Sequence, residues 1–237
     1  MPGLIALIGG NEFRPDCEPV DRSLLARLKP QPRVVILPTA AARENPALAA
    51  KNGVRHFLRL GAVAEAAMVI DAATAGEKKW AASIQTADLV YLAGGDPVYL
   101  LETLSRSPAW EAARKAWEKG GILAGSSAGA MILGGRMWAP GRGWREGLGF
   151  LPKIAILPHH AMLAAAWKAE EMIASLSTGI TLVGIDEATA LVGPPWEVVG
   201  PGHVVVYEPE ETRIYTHAQR VSLVTGMEPE IEKSSRP

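Results

Sequence analysis

Short apolar runs that stop at glycine, alternating with helix-patterned stretches, limit this chain to very few folds. Residues 4–8 are apolar and end at Gly9-Gly10, and residues 33–37 form a second run stopped by Pro38. Residues 67–70 read as a third strand, residues 89–93 as a fourth that ends at Gly94-Gly95, and residues 121–124 as a fifth that runs into Gly125. Between them lie helical patterns. Residues 21–28 put Leu24, Leu25 and Leu28 on one face, residues 46–60 run to Gly61, and residues 77–86 follow. The clearest helix starts at Ser107-Pro108, carries Trp110, Ala113 and Trp117 on one face, and closes at Lys119-Gly120. Five strands and four helices in strict alternation predict an α/β fold: a three-layer sandwich whose mostly parallel central sheet is covered on both faces. In such sheets ligands sit outside the carboxyl ends of the strands.

The second half is less regular. Residues 134–149, rich in Gly, Arg and Trp, read as a loop, and residues 154–157 as a strand. Met162, Ala166, Ala169, Ile173 and Leu176 make one helical stripe. Residues 181–185, 189–192 and 203–207 read as late strands, the later ones antiparallel. Residues 1–227 fit one domain, and the polar residues 228–237 read as a frayed tail.

Composition removes several classes of function. An apolar content of 48% excludes a disordered chain, and a net charge of -1 gives no case for a nucleic-acid partner. No apolar run approaches the roughly 20 residues of a membrane span, and the start lacks the basic segment of a signal peptide, so a cytoplasmic protein is expected. The single cysteine, Cys17, cannot form an internal disulfide, and no Cys/His cluster suggests a metal. Seven tryptophans leave room for the aromatic interface of a homodimer.

The chemistry centres on Gly125-Ser126-Ser127-Ala128-Gly129-Ala130, a G-x-S-x-G segment that follows a strand and precedes the apolar helical run Met131-Ile132-Leu133. A sharp strand-to-helix turn there lifts Ser127 above the sheet, and the crowded backbone demands small neighbours. The helix start also offers free N–H groups to an oxyanion. A serine nucleophile needs a base. His159 and His160 directly follow a strand, and one of the two can face the serine. His56 reads as a surface or boundary residue within a helix, and His203 and His217 lie in late strands with no neighbouring signal. The base in turn needs a carboxylate, and Asp186 and Glu187 both follow the next strand. Spacing alone leaves each pair open.

At these residues the chain resembles the cyanophycinase and dipeptidase E family of serine peptidases, whose fold is similar to that of class I glutamine amidotransferases and so flavodoxin-like. Four segments carry the likeness, in the family's order: Leu92-Ala93-Gly94-Gly95-Asp96; the serine motif; Gly147-Leu148-Gly149-Phe150-Leu151-Pro152 leading to His159; and Gly184-Ile185-Asp186-Glu187-Ala188-Thr189-Ala190-Leu191. The resemblance implies Ser127 as nucleophile, His159 as general base and Glu187 as its orienting acid. It also implies an oxyanion hole from the N–H groups of Gly95 and Ala128, and no metal or cofactor. The substrate would be a small peptide or other amide.

Departures from the family bear on that substrate. Leu157, Pro158 and His160 replace the Asp-Gln and Phe that flank the histidine in cyanophycinases, and Pro97 stands where they have Gln. The helix after His159 lacks their arginines, which argues against cyanophycin. Asp96, His160, Arg142 and Arg145 are the substrate-contacting candidates that remain. Two rival functions are weaker. Glutamine amidotransfer needs a cysteine at the elbow, whereas the elbow residue is Ser127. Nucleotide binding finds no G-x-G-x-x-G and no P-loop lysine. The alternative that stays open is an inactive member of the fold that binds a small molecule or a partner.

Overall fold

The computed structural model describes residues 1–139, 141–166, 169–208 and 211–227. The expected frayed tail, residues 228–237, lies outside the described residues. In chain order the elements are β1 (Ile5–Ile8), α1 (Glu18–Leu25), β2 (Arg33–Leu37), α2 (Pro46–Arg59), β3 (Val63–Ala66), α3 (Ala72–Ala75), α4 (Lys78–Gln85), β4 (Leu89–Leu92), α5 (Pro97–Leu104), α6 (Pro108–Glu118), β5 (Ile122–Ser126) and α7 (Ala128–Met131). They continue as β6 (Gly134–Ala139), β7 (Gly143–Glu146), β8 (Leu151–Leu157), α8 (His160–Ala166), α9 (Ala169–Ser175), β9 (Thr181–Ile185), β10 (Ala190–Gly193), β11 (Glu197–Val199), β12 (Val204–Tyr207) and β13 (Thr212–Tyr215).

The fold is α/β, with mostly parallel strands and helices on both sides, as the flavodoxin-like expectation requires. Its strands divide into two sheets rather than one. The first has the order β11-β10-β1-β5-β4-β2-β3, and the second β13-β12-β9-β8-β6-β7. In the first, β1, β5, β4, β2 and β3 are parallel, and β10 and β11 add antiparallel strands beside β1. In the second, β6, β8 and β9 are parallel, with antiparallel β7, β12 and β13 outside them.

Alternation along the strands sets the layers. Ala6, Ile8, Val34, Ile36, Tyr91 and Ala124 face α1 and α2, where Val20, Leu24 and Phe57 meet them. The opposite face, with Ile5, Leu7, Val35 and Leu92, packs on α4 to α7. It also meets the inner face of the second sheet, through Ile154, Ile156, Val183 and Val206. The outer face of the second sheet, Ala155, Leu157 and Leu182, is covered by Met172 with Ile173 and Leu176. Met162, placed on the inward stripe by its spacing, is instead exposed.

Three local expectations are corrected. The third strand is β3, not residues 67–70. As an edge strand with Val63 exposed, β3 shows little alternation, whereas Ala67 and Val69 are buried just past its end, where the Ala67 N–H donates to the Ile36 carbonyl at 2.9 Å. There the Thr39 hydroxyl donates to the Val69 carbonyl at 2.6 Å. Residues 134–149 contain the β6–β7 hairpin rather than a loop. The tryptophans that read as loop composition are a cross-strand pair, Trp138 opposite Trp144, with ring centroids 5.3 Å apart, and Gly141 and Gly143 supply positive φ at the turn. Helix α5 was not foreseen. It is capped by Asp96, whose Oδ1 accepts the N–H groups of Val98 and Tyr99.

His56 is also placed differently from expectation. It is buried in α2, with Nε2 2.8 Å from Oδ2 of Asp21 on α1, and Asp21 is fully buried. Burial pushes the Asp21 carboxyl above its ordinary value, and the contact with His56 opposes that rise. His56→Ala would leave this group without its partner, so a loss of about 3 kcal/mol or more is expected. The urea midpoint should fall at constant m-value, and an unchanged midpoint would contradict this.

Candidate active site

Five strand ends from both sheets meet at one place, and β1 is the hub. The Ile8 carbonyl accepts the Ser127 N–H at 2.9 Å, the Gly9 carbonyl accepts the His159 N–H at 2.8 Å, and the Gly10 carbonyl accepts the Ala188 N–H at 3.1 Å. Three segments far apart in sequence are thus hung on three successive carbonyls.

Ser127 sits between β5 and the four-residue helix α7, at φ 48° and ψ -111°. A side chain in that region costs roughly 1–3 kcal/mol. The turn closes because its neighbours are small. A Cβ on Gly125 would lie 2.4 Å from the Gly129 carbonyl oxygen, and one on Gly129 would lie 2.3 Å from that of Leu92. Positive φ recurs around the site, at Asn11, Phe13, His159 and Ala188. Backbone strain gathered at one place is typical of functional sites.

The side chains form a line. His159 Nε2 lies 3.0 Å from Ser127 Oγ, and His159 Nδ1 lies 2.7 Å from Glu187 Oε1. With its proton on Nδ1, the imidazole donates to the carboxylate and leaves Nε2 to accept from the serine hydroxyl. Asn11 Nδ2 donates to the other Glu187 oxygen at 3.3 Å and to Asp16 at 3.0 Å. Gly10, at φ 134°, lies so close under the imidazole that a Cβ there would be 2.2 Å from its Cε1.

The neighbouring pair turns away. His160 Nε2 lies 2.7 Å from the Tyr207 hydroxyl, and its ring packs against Gly184. Burial pushes its imidazole below the ordinary value, against the opposing pull of Asp186. Asp186 accepts the N–H groups of Ala161 and His203, so it fastens the start of α8 to the second sheet. Among the other sequence candidates, Gly95 borders the cavity over Ser127, and Ala128 follows the serine as the first residue of α7. Asp96 serves as the α5 cap and meets Arg43 at 3.5 Å. Arg145 pairs with Glu102 on α5, and Arg142 is exposed at the hairpin turn. Asp96, His160, Arg142 and Arg145 are therefore not among the residues that line the cavity over Ser127.

The cavity, 460 Å³ in volume, is lined by Ser127, His159, Gly94 and Gly95 and by residues that the sequence reading passed over: Asn11, Glu12, Arg14, Glu44 and Asn52 among them. Past Phe13, Arg14 and Asn52 it meets a second cleft of 420 Å³ that carries Arg55 and Arg59. Among the described residues, the cations that line these two cavities, Arg14, Arg55 and Arg59, all come from the first 60 residues. Their one signal was position, since Asn11 to Arg14 directly follow the glycine pair at the end of β1. Burial pushes the thiol of Cys17 upward, so it stays protonated. Among the described residues, no group of three or more His, Cys, Asp or Glu side chains could hold a metal ion. Among the described residues, no helix is long and apolar enough to cross a membrane.

Comparison with known proteins agrees with this architecture. The sequence model of peptidase family S51 matches residues 4–193, from β1 through β10. No curated protein matches the chain. Among solved structures, a peptidase from an acI-B1 Actinobacterium is 30% identical, with a TM-score of 0.86 over 94% of this chain and 98% of its own. A protein described as a candidate peptidase E from Listeria monocytogenes EGD-e is 16% identical, with a TM-score of 0.61 over 94% of this chain and 100% of its own, and shares the fold. The chain belongs to peptidase family S51, the family of dipeptidase E and cyanophycinase.

Proposed function

We propose that the protein is a serine peptidase that cleaves a short peptide or isopeptide bond through Ser127, His159 and Glu187. The observation that carries this reading is the hydrogen-bonded line from Glu187 through His159 to a strained serine that borders a cavity. His159 Nε2 takes the hydroxyl proton as Ser127 Oγ attacks the carbonyl carbon. Glu187 holds the ring in the required tautomer and steadies the imidazolium. The N–H groups of Gly95 and Ala128 receive the oxyanion. His159 then returns the proton to the leaving amine. Water, deprotonated by the same imidazole, hydrolyses the acyl-enzyme. The cavity volume suits a peptide of a few residues rather than a folded chain.

The test is a hydrolysis screen over short peptides, including aspartyl and isoaspartyl dipeptides, that reads released amine. Turnover of at least one is expected. No turnover of any, together with no labelling of Ser127 by a fluorophosphonate, would instead favour a binding protein. A further expectation follows from Gly10. Gly10→Ala places a methyl group within the space of the imidazole and an L side chain at φ 134°, so kcat/KM should fall roughly a hundredfold. An unaltered kcat/KM would show that the ring position is not required.

A further inference from the structure

Glu12 takes no part in the line from Glu187 to Ser127, yet it borders the same cavity. Its Oε1 accepts the Gly94 N–H at 2.7 Å, and its Oε2 accepts the Ser126 hydroxyl at 2.8 Å. Gly94 immediately precedes Gly95, and Ser126 immediately precedes Ser127. The β4–β5 ladder ends at Leu92 opposite Gly125, and the Glu12 carboxylate spans the next step. It is wedged there, since a Cβ on Gly94 would lie 2.6 Å from Glu12 Oε1 and 3.3 Å from Ser127 Cβ. An ionised carboxylate offers two acceptor oxygens, and its hydrogen bonds are charge-assisted.

We propose that Glu12 is a positioning residue that staples the Gly94-Gly95 strand end to the serine elbow, and so fixes the Gly95 N–H relative to Ser127 Oγ. The proposal rests on Ser127 being the nucleophile. With both oxygens engaged by the protein, Glu12 acts on the spacing of the oxyanion site and not on substrate affinity. It reaches the reacting atoms only through Gly94 and Ser126.

A fluorophosphonate reports on this directly. Ser127 Oγ attacks phosphorus, the P–O bond forms, the P–F bond breaks, fluoride leaves and the hydroxyl proton passes to His159. The phosphoryl oxygen takes the oxyanion position. The maximal labelling rate and the half-saturation concentration should be measured for wild type, Glu12→Ala, Glu12→Gln, Ser126→Ala and the Glu12→Ala/Ser126→Ala double variant. Glu12→Ala is expected to lower the maximal rate roughly tenfold to a hundredfold, with half-saturation changed by less than about threefold. Glu12→Gln should recover most of the rate, because its carbonyl accepts from Gly94 while its amide donates to the Ser126 oxygen. Ser126→Ala should cost less than Glu12→Ala, and nothing further on top of it. A wild-type rate in Glu12→Ala would overturn the proposal, as would raised half-saturation at an unchanged rate, which marks substrate contact. If Glu12→Ala does not fold, a rate in Glu12→Gln as low as that of Ser127→Ala overturns it and near-wild-type labelling supports it. Absence of Ser127 labelling in the wild type would remove the peptidase reading itself, and the staple with it.

Discussion

Ser127→Ala is expected to abolish hydrolysis, with kcat lower by roughly four to six orders of magnitude, while the thermal midpoint stays within a few degrees of wild type. The size follows from the chemistry. Without Oγ no acyl-enzyme forms, and only binding and the oxyanion donors remain to help a water attack. The small effect on stability follows from the structure. The unusual backbone at Ser127 is held by its N–H bond to the Ile8 carbonyl and by the close packing of Gly125 against Gly129. The substitution touches neither, and an alanine carries the same Cβ at φ 48°. The deleted hydroxyl bonds only to the His159 ring among the described residues. Activity within tenfold of wild type, measured on protein free of host peptidases, would rule out the serine mechanism.

Glu187→Gln is expected to lower kcat by roughly a thousandfold or more with little change in shape. Asn11 decides how the new amide sits. Asn11 Nδ2 is a donor aimed at Oε2, so the glutamine oxygen turns toward Asn11 and its NH₂ toward His159 Nδ1. The imidazole then has to accept at Nδ1 and carry its proton on Nε2, where it cannot take the serine proton. Glu187→Asp keeps the charge and should retain more activity. Asp186→Asn is the matched control. Because Asp186 fastens α8 and His203, that variant should lose stability more than kcat. A large kcat loss at Asp186 with a small one at Glu187 would reverse the assignment of the orienting acid.

The parts that could be read from the sequence share one property: each follows a strand. Ser127, His159 and Glu187 lie just past β5, β8 and β9, and apolar runs mark those strands plainly. The two adjacent pairs were not separable by spacing. The structure separates them by backbone conformation, with His159 at positive φ and Ala188 at positive φ directly after Glu187. Glu12 and Asn11 were invisible for a different reason. They read as polar residues of a short loop, and their partners lie 82, 114 and 176 residues further along. No local pattern encodes such pairings. The division into two sheets was equally hidden, because alternation tells which face a residue takes but not which sheet its strand joins. Arg142 and Arg145 looked available because the segment around them read as a loop. The Trp138–Trp144 pair belongs to a hairpin that pairs Arg145 with Glu102 and leaves Arg142 exposed at its turn.

The most direct test is to treat the purified protein with a fluorophosphonate and locate the modified residue by peptide mapping. One phosphonyl group on Ser127 is predicted, with labelling strongly slowed in His159→Ala. Modification confined to other residues, or a Ser127 that stays unmodified while peptide hydrolysis continues, would contradict the assignment of Ser127 as the nucleophile.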